Sequence, residues 1–331
     1  MKGLSLILLC LLILGVVSLF SMGTGRYPVS LRALLSWFTT GQSTDENLPI
    51  ILFNIRQPRL IGAIAAGGAL AMSGAAYQGM FRNPMVSPDI LGVGSGAGFG
   101  AALAILLSLP VAGIQTLSFI GGMSAVLIAV SISKTIGRSH DSVLVLVLSG
   151  IIISSLFGAL LSMLKYVADP DDKLPAITYW LMGSLANIRM NDLIIILPLL
   201  VVGSIPLMLL SWRLNVLSFG EDEARSLGVH TGLMRVLVIL CATLMTASII
   251  SVTGIIGWVG LIVPHLARFA AGPNHRMLLP TSFLFGGIFM LVVDNVARSL
   301  VSVEIPIGII MAILGAPFFL WFLKKTSKKS W

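Results

Sequence analysis

Residues Arg213–Arg235, RLNVLSFGEDEARSLGVHTGLMR, form a charged island between two long apolar segments. Glu221, Asp222, Glu223 and Arg225 sit together there, in a chain only 10% charged. The apolar segments on either side, about Leu193–Trp212 and Leu233–Val252, each reach about 20 residues, enough to cross roughly 30 Å of hydrocarbon as a helix. An irregular polar stretch between two such segments belongs at a membrane surface, because backbone groups left unpaired in lipid are too costly. The island therefore touches something in water.

The rest of the 331-residue chain has the same character. It is 56% hydrophobic, with a mean hydropathy of +1.00, far above an ordinary soluble domain. The whole chain, 1–331, reads as one all-α polytopic membrane domain of about ten helices, with the loop at about 213–235 as its main polar insertion. The expected helices are Leu4–Met22, Leu60–Met80, Ile90–Leu107, Val111–Ile132, Val143–Tyr166, Leu193–Trp212, Leu233–Val252, Gly257–Phe269, Leu278–Val296 and Ile307–Leu323. The eighth is too short to cross alone. A polar loop with an amphipathic piece at Leu31–Phe38 follows the first helix, and a short helix near Ala176–Leu185 precedes the sixth. The first segment is longer than a signal-peptide core and lacks a small-residue cleavage site, so a retained span is expected.

The net charge of +8 comes from short loops and the tail, which points to membrane orientation and lipid rather than nucleic acid. With the N-terminus inside, the inner segments hold Lys2, Arg82, Lys134, Arg138, Arg213, Arg225, Arg235, Arg268, Arg276 and the tail lysines 324, 325, 328 and 329. That is about 13 basic residues inside against about 8 outside, so both termini are expected in the cytoplasm. Cys10 and Cys241 read as packing residues. The second and third helices are rich in Gly and Ala, which suits close helix packing in lipid.

No Asp, Glu, Lys or His sits clearly mid-span; Asp294 falls near the end of its helix. Ion-coupled transporters generally place such a group in the membrane. The chain also lacks a Gly-x-x-x-x-Gly-Lys-Ser/Thr phosphate loop. Energy is expected to come from elsewhere, and the chain is expected to perform no covalent chemistry and to hold no metal or cofactor. His265 and His275 lack companion ligands, and their helix is expected to lie on the surface, held by Arg268 and Arg276. Between the second and third helices, QGMFRNPMVSPDILG (Gln78–Gly92) cannot be a continuous helix because of Pro84 and Pro88. It reads either as a rigid turn or as a constriction at the cytoplasmic mouth, with Asn83 and Met85 facing the pathway. On the outer side Arg56, Arg59 and Arg298 either snorkel to the interface or form a basic patch for an acidic partner.

Several segments together resemble one family: RQPRL from Arg56, GGALAMSGAAYQGMFRNPMVSPDILGVGSGAG from Gly67, SLGV from Ser226, GWVGLIVPHLAR from Gly257, HRMLLP from His275, DNVAR from Asp294 and EIPIGIIMAILGAPFF from Glu304. They are similar to the FecCD-type permeases of type II ABC importers, which include vitamin B12, haem and iron–siderophore permeases. The resemblance implies a permease dimer of identical or closely related chains, two ATPase subunits carrying ATP and Mg at the cytoplasmic face, and a periplasmic or lipid-anchored binding protein outside, in a bacterial inner membrane. It implies that Glu221, Asp222, Glu223, Ala224, Arg225, Ser226, Leu227, Gly228, Val229, His230 and Thr231 form the ATPase coupling segment, with Gly228 turning between two short helices. It assigns Arg56, Arg59 and Arg298 to binding-protein docking. Asn83, Met85, Ser142, Val143 and Leu144 go to the cytoplasmic gate. Trp258 stands where Phe is usual, Val293 where Ala is common, and Ser142–Leu144 is more apolar than a hydrated gate. The expected cargo is a metal chelate, an iron–siderophore or haem. Cobalamin or an oxyanion such as molybdate is an alternative on the same scaffold, and an ATP-independent secondary transporter or channel is the alternative of another class.

Overall fold

The computed structural model describes residues 2–25, 27, 47–136, 142–301 and 303–327. The expected Leu31–Phe38 piece and Arg138 lie outside the described residues. Among these residues seven helices are long and apolar enough to cross a membrane, and three shorter apolar helices accompany them. In chain order the helices are α1 (Lys2–Gly23), α2 (Leu48–Met80), α3 (Val93–Leu106), α4 (Val111–Ile136), α5 (Ser142–Val167), α6 (Lys173–Leu181), α7 (Met190–Leu209), α8 (Ser211–Leu217), α9 (Glu221–Ser226), α10 (Thr231–Thr253), α11 (Val259–Ala271), α12 (His275–Ser299) and α13 (Ile307–Ser327). The chain is a multi-pass helical membrane protein.

α2 is the central column. It begins about three turns earlier than expected, because Ile51–Arg56 continues it as a π-helical stretch. Its Gly and Ala positions are buried, and it packs most extensively against α12. Gly67 and Gly286 face each other so closely that a Cβ on either would overlap the other's carbonyl. Gly96 and Gly121 make the same reciprocal contact between α3 and α4. Without a hydrophobic force between helices in lipid, this close backbone approach is what holds them. α1 lies at the rim, mostly exposed, against α12. Cys10 is buried in its packing face and Cys241 is half-buried; both are free thiols.

α11 departs from expectation. It does not lie on the surface: Val259–His265 are buried, and it packs on both α2 and α12. A Cβ on Gly74 would overlap the Gly260 carbonyl, so two small residues admit α11 into the interior. α3 and α11 have 14 and 13 residues, about 20 Å each, so each crosses only part of the hydrocarbon. Their N-terminal ends meet inside the protein, where Ser87–Asp89 and Gly257–Gly260 line one cavity with Leu70. Leu70 lies ten residues before Met80, the C-terminal end of α2, and so about 15 Å in from it. The link between α2 and α3 therefore re-enters the membrane to about mid-depth, carrying Asp89 with it. This corrects the expectation that no carboxylate sits mid-span. A turn at Pro88–Leu91, against which glycines of α5 and α11 pack, makes the re-entry possible. A Cβ on Gly150 of α5 would overlap the Ile90 carbonyl, and one on Gly260 of α11 the Pro88 ring.

Candidate functional site

The island folds as two short helices, α8 and α9, and then enters α10. Gly220, at φ 143°, makes the turn between the two short helices. Gly228, at φ 78°, instead turns α9 into α10; this corrects the expected place of the turn. Both dihedrals lie where a side chain is strained. Ala224 and Val229 are fully or nearly buried and anchor the island, while Thr231 starts α10 and is also buried. Asp222, Glu223, Arg225, Ser226, Leu227, Gly228 and His230 are exposed. Leu227 is 61% and Phe219 74% exposed, an apolar pair amid charge on a water-facing segment.

Glu221 joins the island to the root of α10. It pairs with Arg225 at 3.4 Å, one turn along α9, and with Arg235 of α10. Arg225 also donates to Thr231 Oγ1 at 3.4 Å. The cavity beneath is lined by Glu221, Arg225, Arg235, Lys134 and Leu146, so the island contacts the surroundings of α4, α5 and α10 together. An ion pair, Glu221–Arg235, and two buried side chains, Ala224 and Val229, connect α9 to the base of α10.

The expected gate segment lies beside this region. Asn83 and Met85 are exposed. The Asn83 carbonyl Oδ1 accepts from the Met85 N–H at 2.9 Å, so the side chain shapes the turn. Two residues that the sequence did not connect with the gate hold the segment in place. His265 of α11 bonds the Pro84 carbonyl at 2.8 Å. Gln78 Nε2 donates at 3.4 Å to both the Val86 and Leu261 carbonyls, and Arg268 donates to its Oε1. Each joins elements some 180 residues apart, a relation no local pattern encodes. Ser142 opens α5; Val143 is half-buried against the core and Leu144 is 56% exposed.

The outer arginines do converge, but as buried groups. Arg56, Arg59 and Arg298 are 5%, 8% and 7% exposed. Arg59 meets Asp294 at 2.9 Å and Glu304 at 2.9 Å. Arg298 lies 3.5 Å from Asp294 and donates to Ser21 O and Oγ at 2.8 and 2.6 Å, and to Asn295. Among the described residues Arg56 meets no carboxylate; it donates to the carbonyls of Met22 and Tyr27. Three guanidinium groups thus face two carboxylates, with one positive charge in excess, and tie α1, α2, α12 and the segment before α13 together. An open basic patch is not what the geometry displays. The acids Asp294 and Glu304, far from Arg59 in sequence, were the part the sequence pattern left unpaired.

Known proteins resemble this chain along nearly its whole length. The FecCD transport family matches residues 10–325. The chain is 43% identical over 312 residues to the molybdate import system permease protein MolB of Haemophilus influenzae, covering 93% of this chain and 92% of MolB. It is 36% identical over 334 residues to the hemin transport system permease protein HmuU of Yersinia pestis, covering 98% and 95%. A solved ABC transporter described as metal-chelate type, in an inward-facing conformation, superposes with a TM-score of 0.88 at 40% identity over 97% of this chain and 99% of that one. The family match spans nearly the whole chain, the island included, and the chain belongs to the FecCD transport family.

Proposed function

We propose that this chain is the permease subunit of a type II ABC importer that moves a metal chelate, an iron–siderophore or haem, across a bacterial inner membrane with both termini in the cytoplasm. It works as a dimer with a second permease copy. Two ATPase subunits, which carry ATP and Mg, engage the exposed face of α9, and a binding protein delivers cargo outside. The observation that carries this reading is the island. It is an exposed charged segment with an apolar pair, fixed to the root of α10 by Glu221 and Arg235, in a chain without a nucleotide loop of its own.

In this mechanism ATP binding closes the ATPase pair and displaces α9. The Glu221–Arg235 pair and buried Ala224 and Val229 transmit that displacement to α10. α10 adjoins α2, α4 and α7, so its tilt shifts the helices beside the Asn83–Met85 turn and the start of α5, which form the inner gate. Outside, the acids of a binding protein approach the arginine network, whose excess positive charge attracts them; Arg56, whose partners among the described residues are carbonyls, is the group best placed to be taken over.

Reconstitution tests the reading. The permease with its ATPase and binding protein is expected to accumulate a labelled ferric hydroxamate chelate or haem only with ATP. Equal uptake by the permease alone in liposomes would overturn it in favour of a secondary transporter. An oxyanion cargo is the second reading, supported by the 43% identity to a molybdate permease; labelled molybdate in the same assay decides between them.

A further inference from the structure

Asp89 is exposed although it lies about halfway across the bundle, as the position of Leu70 beside it fixes. A charged carboxylate at that depth cannot face lipid; such groups face a water-filled cavity or a partner. Asp89 opens onto a cavity of about 240 Å³ shared with Ser87, Thr246 and Trp258. Its Oδ1 accepts from the Gly94 N–H at 2.6 Å, which fixes the carboxylate at the start of α3. Among the described residues no Lys, Arg or His pairs with it. Apolar side chains of α5 and α13 stand on either side: α5 rests on the Pro88–Leu91 turn, and Gly315 and Phe319 of α13 hold the Trp258 ring.

We propose that Asp89 is the charge-selecting residue of the translocation pathway, and that this cavity opens into water at mid-depth. A fixed negative charge between low-dielectric walls concentrates cations and repels anions. With two hydroxyls and an indole beside it, the site accepts a neutral or positively charged chelate whose surface carries N–H or O–H donors, and opposes an oxyanion. This deepens the import reading and rests on it for the cargo; the location of the water path does not depend on it.

Thiol labelling tests the proposal. In a Cys10→Ser, Cys241→Ser background, Ser87→Cys is introduced into the full permease–ATPase complex in vesicles. It is treated from each side with trimethylammonium-ethyl and sulfonato-ethyl methanethiosulfonate, one cationic and one anionic. Both reagents are expected to react, the cation roughly tenfold faster than the anion relative to a free thiol, and Asp89→Asn is expected to remove most of that preference. Thr246→Cys gives a second reporter should Ser87→Cys not assemble. No reaction from either side at both positions, or a preference unchanged by Asp89→Asn, would overturn the proposal. The readout needs neither ATP nor cargo, so failure of ATP-driven uptake would count against the import reading alone.

Discussion

Arg59 holds two acids at once, Asp294 at 1% and Glu304 at 24% side-chain exposure. Removing one member of a buried pair leaves the other charged without a partner, which costs about 3–5 kcal/mol. Arg59→Ala is therefore expected to lower the thermal stability of the detergent-solubilised protein severely. Arg59→Lys, which keeps a positive charge between Asp294 and Glu304, is expected to retain more of it, as read by a thermal unfolding assay. Arg56 behaves differently because, among the described residues, carbonyls rather than carboxylates oppose it: Arg56→Gln, which keeps donors for those carbonyls and removes the charge, is expected to leave the fold intact and weaken binding-protein stimulation of the ATPase. Unchanged stimulation would remove Arg56 from the docking surface. The two arginines look equivalent in the sequence RQPRL; only their partners, 29 to 245 residues away, separate them.

Elements here depend on how closely backbones approach and how they turn. Gly74→Leu places a side chain where the Gly260 carbonyl lies, which overpacks the α2–α11 contact at a cost of about 1–3 kcal/mol or more. The expected result is loss of folded protein in size-exclusion chromatography, whereas a leucine at Gly158, where nothing stands within 4 Å, is expected to be tolerated. On the island, Gly228 also has open space around it, so its constraint is purely the left-handed backbone. Gly228→Val costs roughly 1–2 kcal/mol of strain and is expected to disorder the α9–α10 junction. ATPase binding measured by co-purification should fall without a change in membrane insertion. Element lengths were legible to within a few residues from hydropathy, as for Val111–Ile136 and Ile307–Ser327. The π-helical start of α2 and the interior seat of α11 were not. The first needs the Leu48–Arg56 backbone to be seen in place, and the second depends on a glycine facing a glycine 186 positions on.

At the scale of the whole molecule, the apolar periodicity, the absence of a nucleotide loop and the charged island determined the class. They specify a helical membrane protein of about ten segments with a charged stretch at Arg213–Arg235 that meets water, because a polar stretch between two spans has nowhere else to lie. The motif resemblance then fixed the family. Tertiary structure alone decided what the buried charges do. It joined Arg59 to Asp294 and Glu304, tied Gln78 and His265 to the gate turn, and carried Asp89 to mid-depth on a re-entrant link. Hydropathy averages over neighbours in the chain and is blind to such pairings, since a charge in lipid is tolerated or forbidden by what stands opposite it, and that neighbour is supplied by the fold.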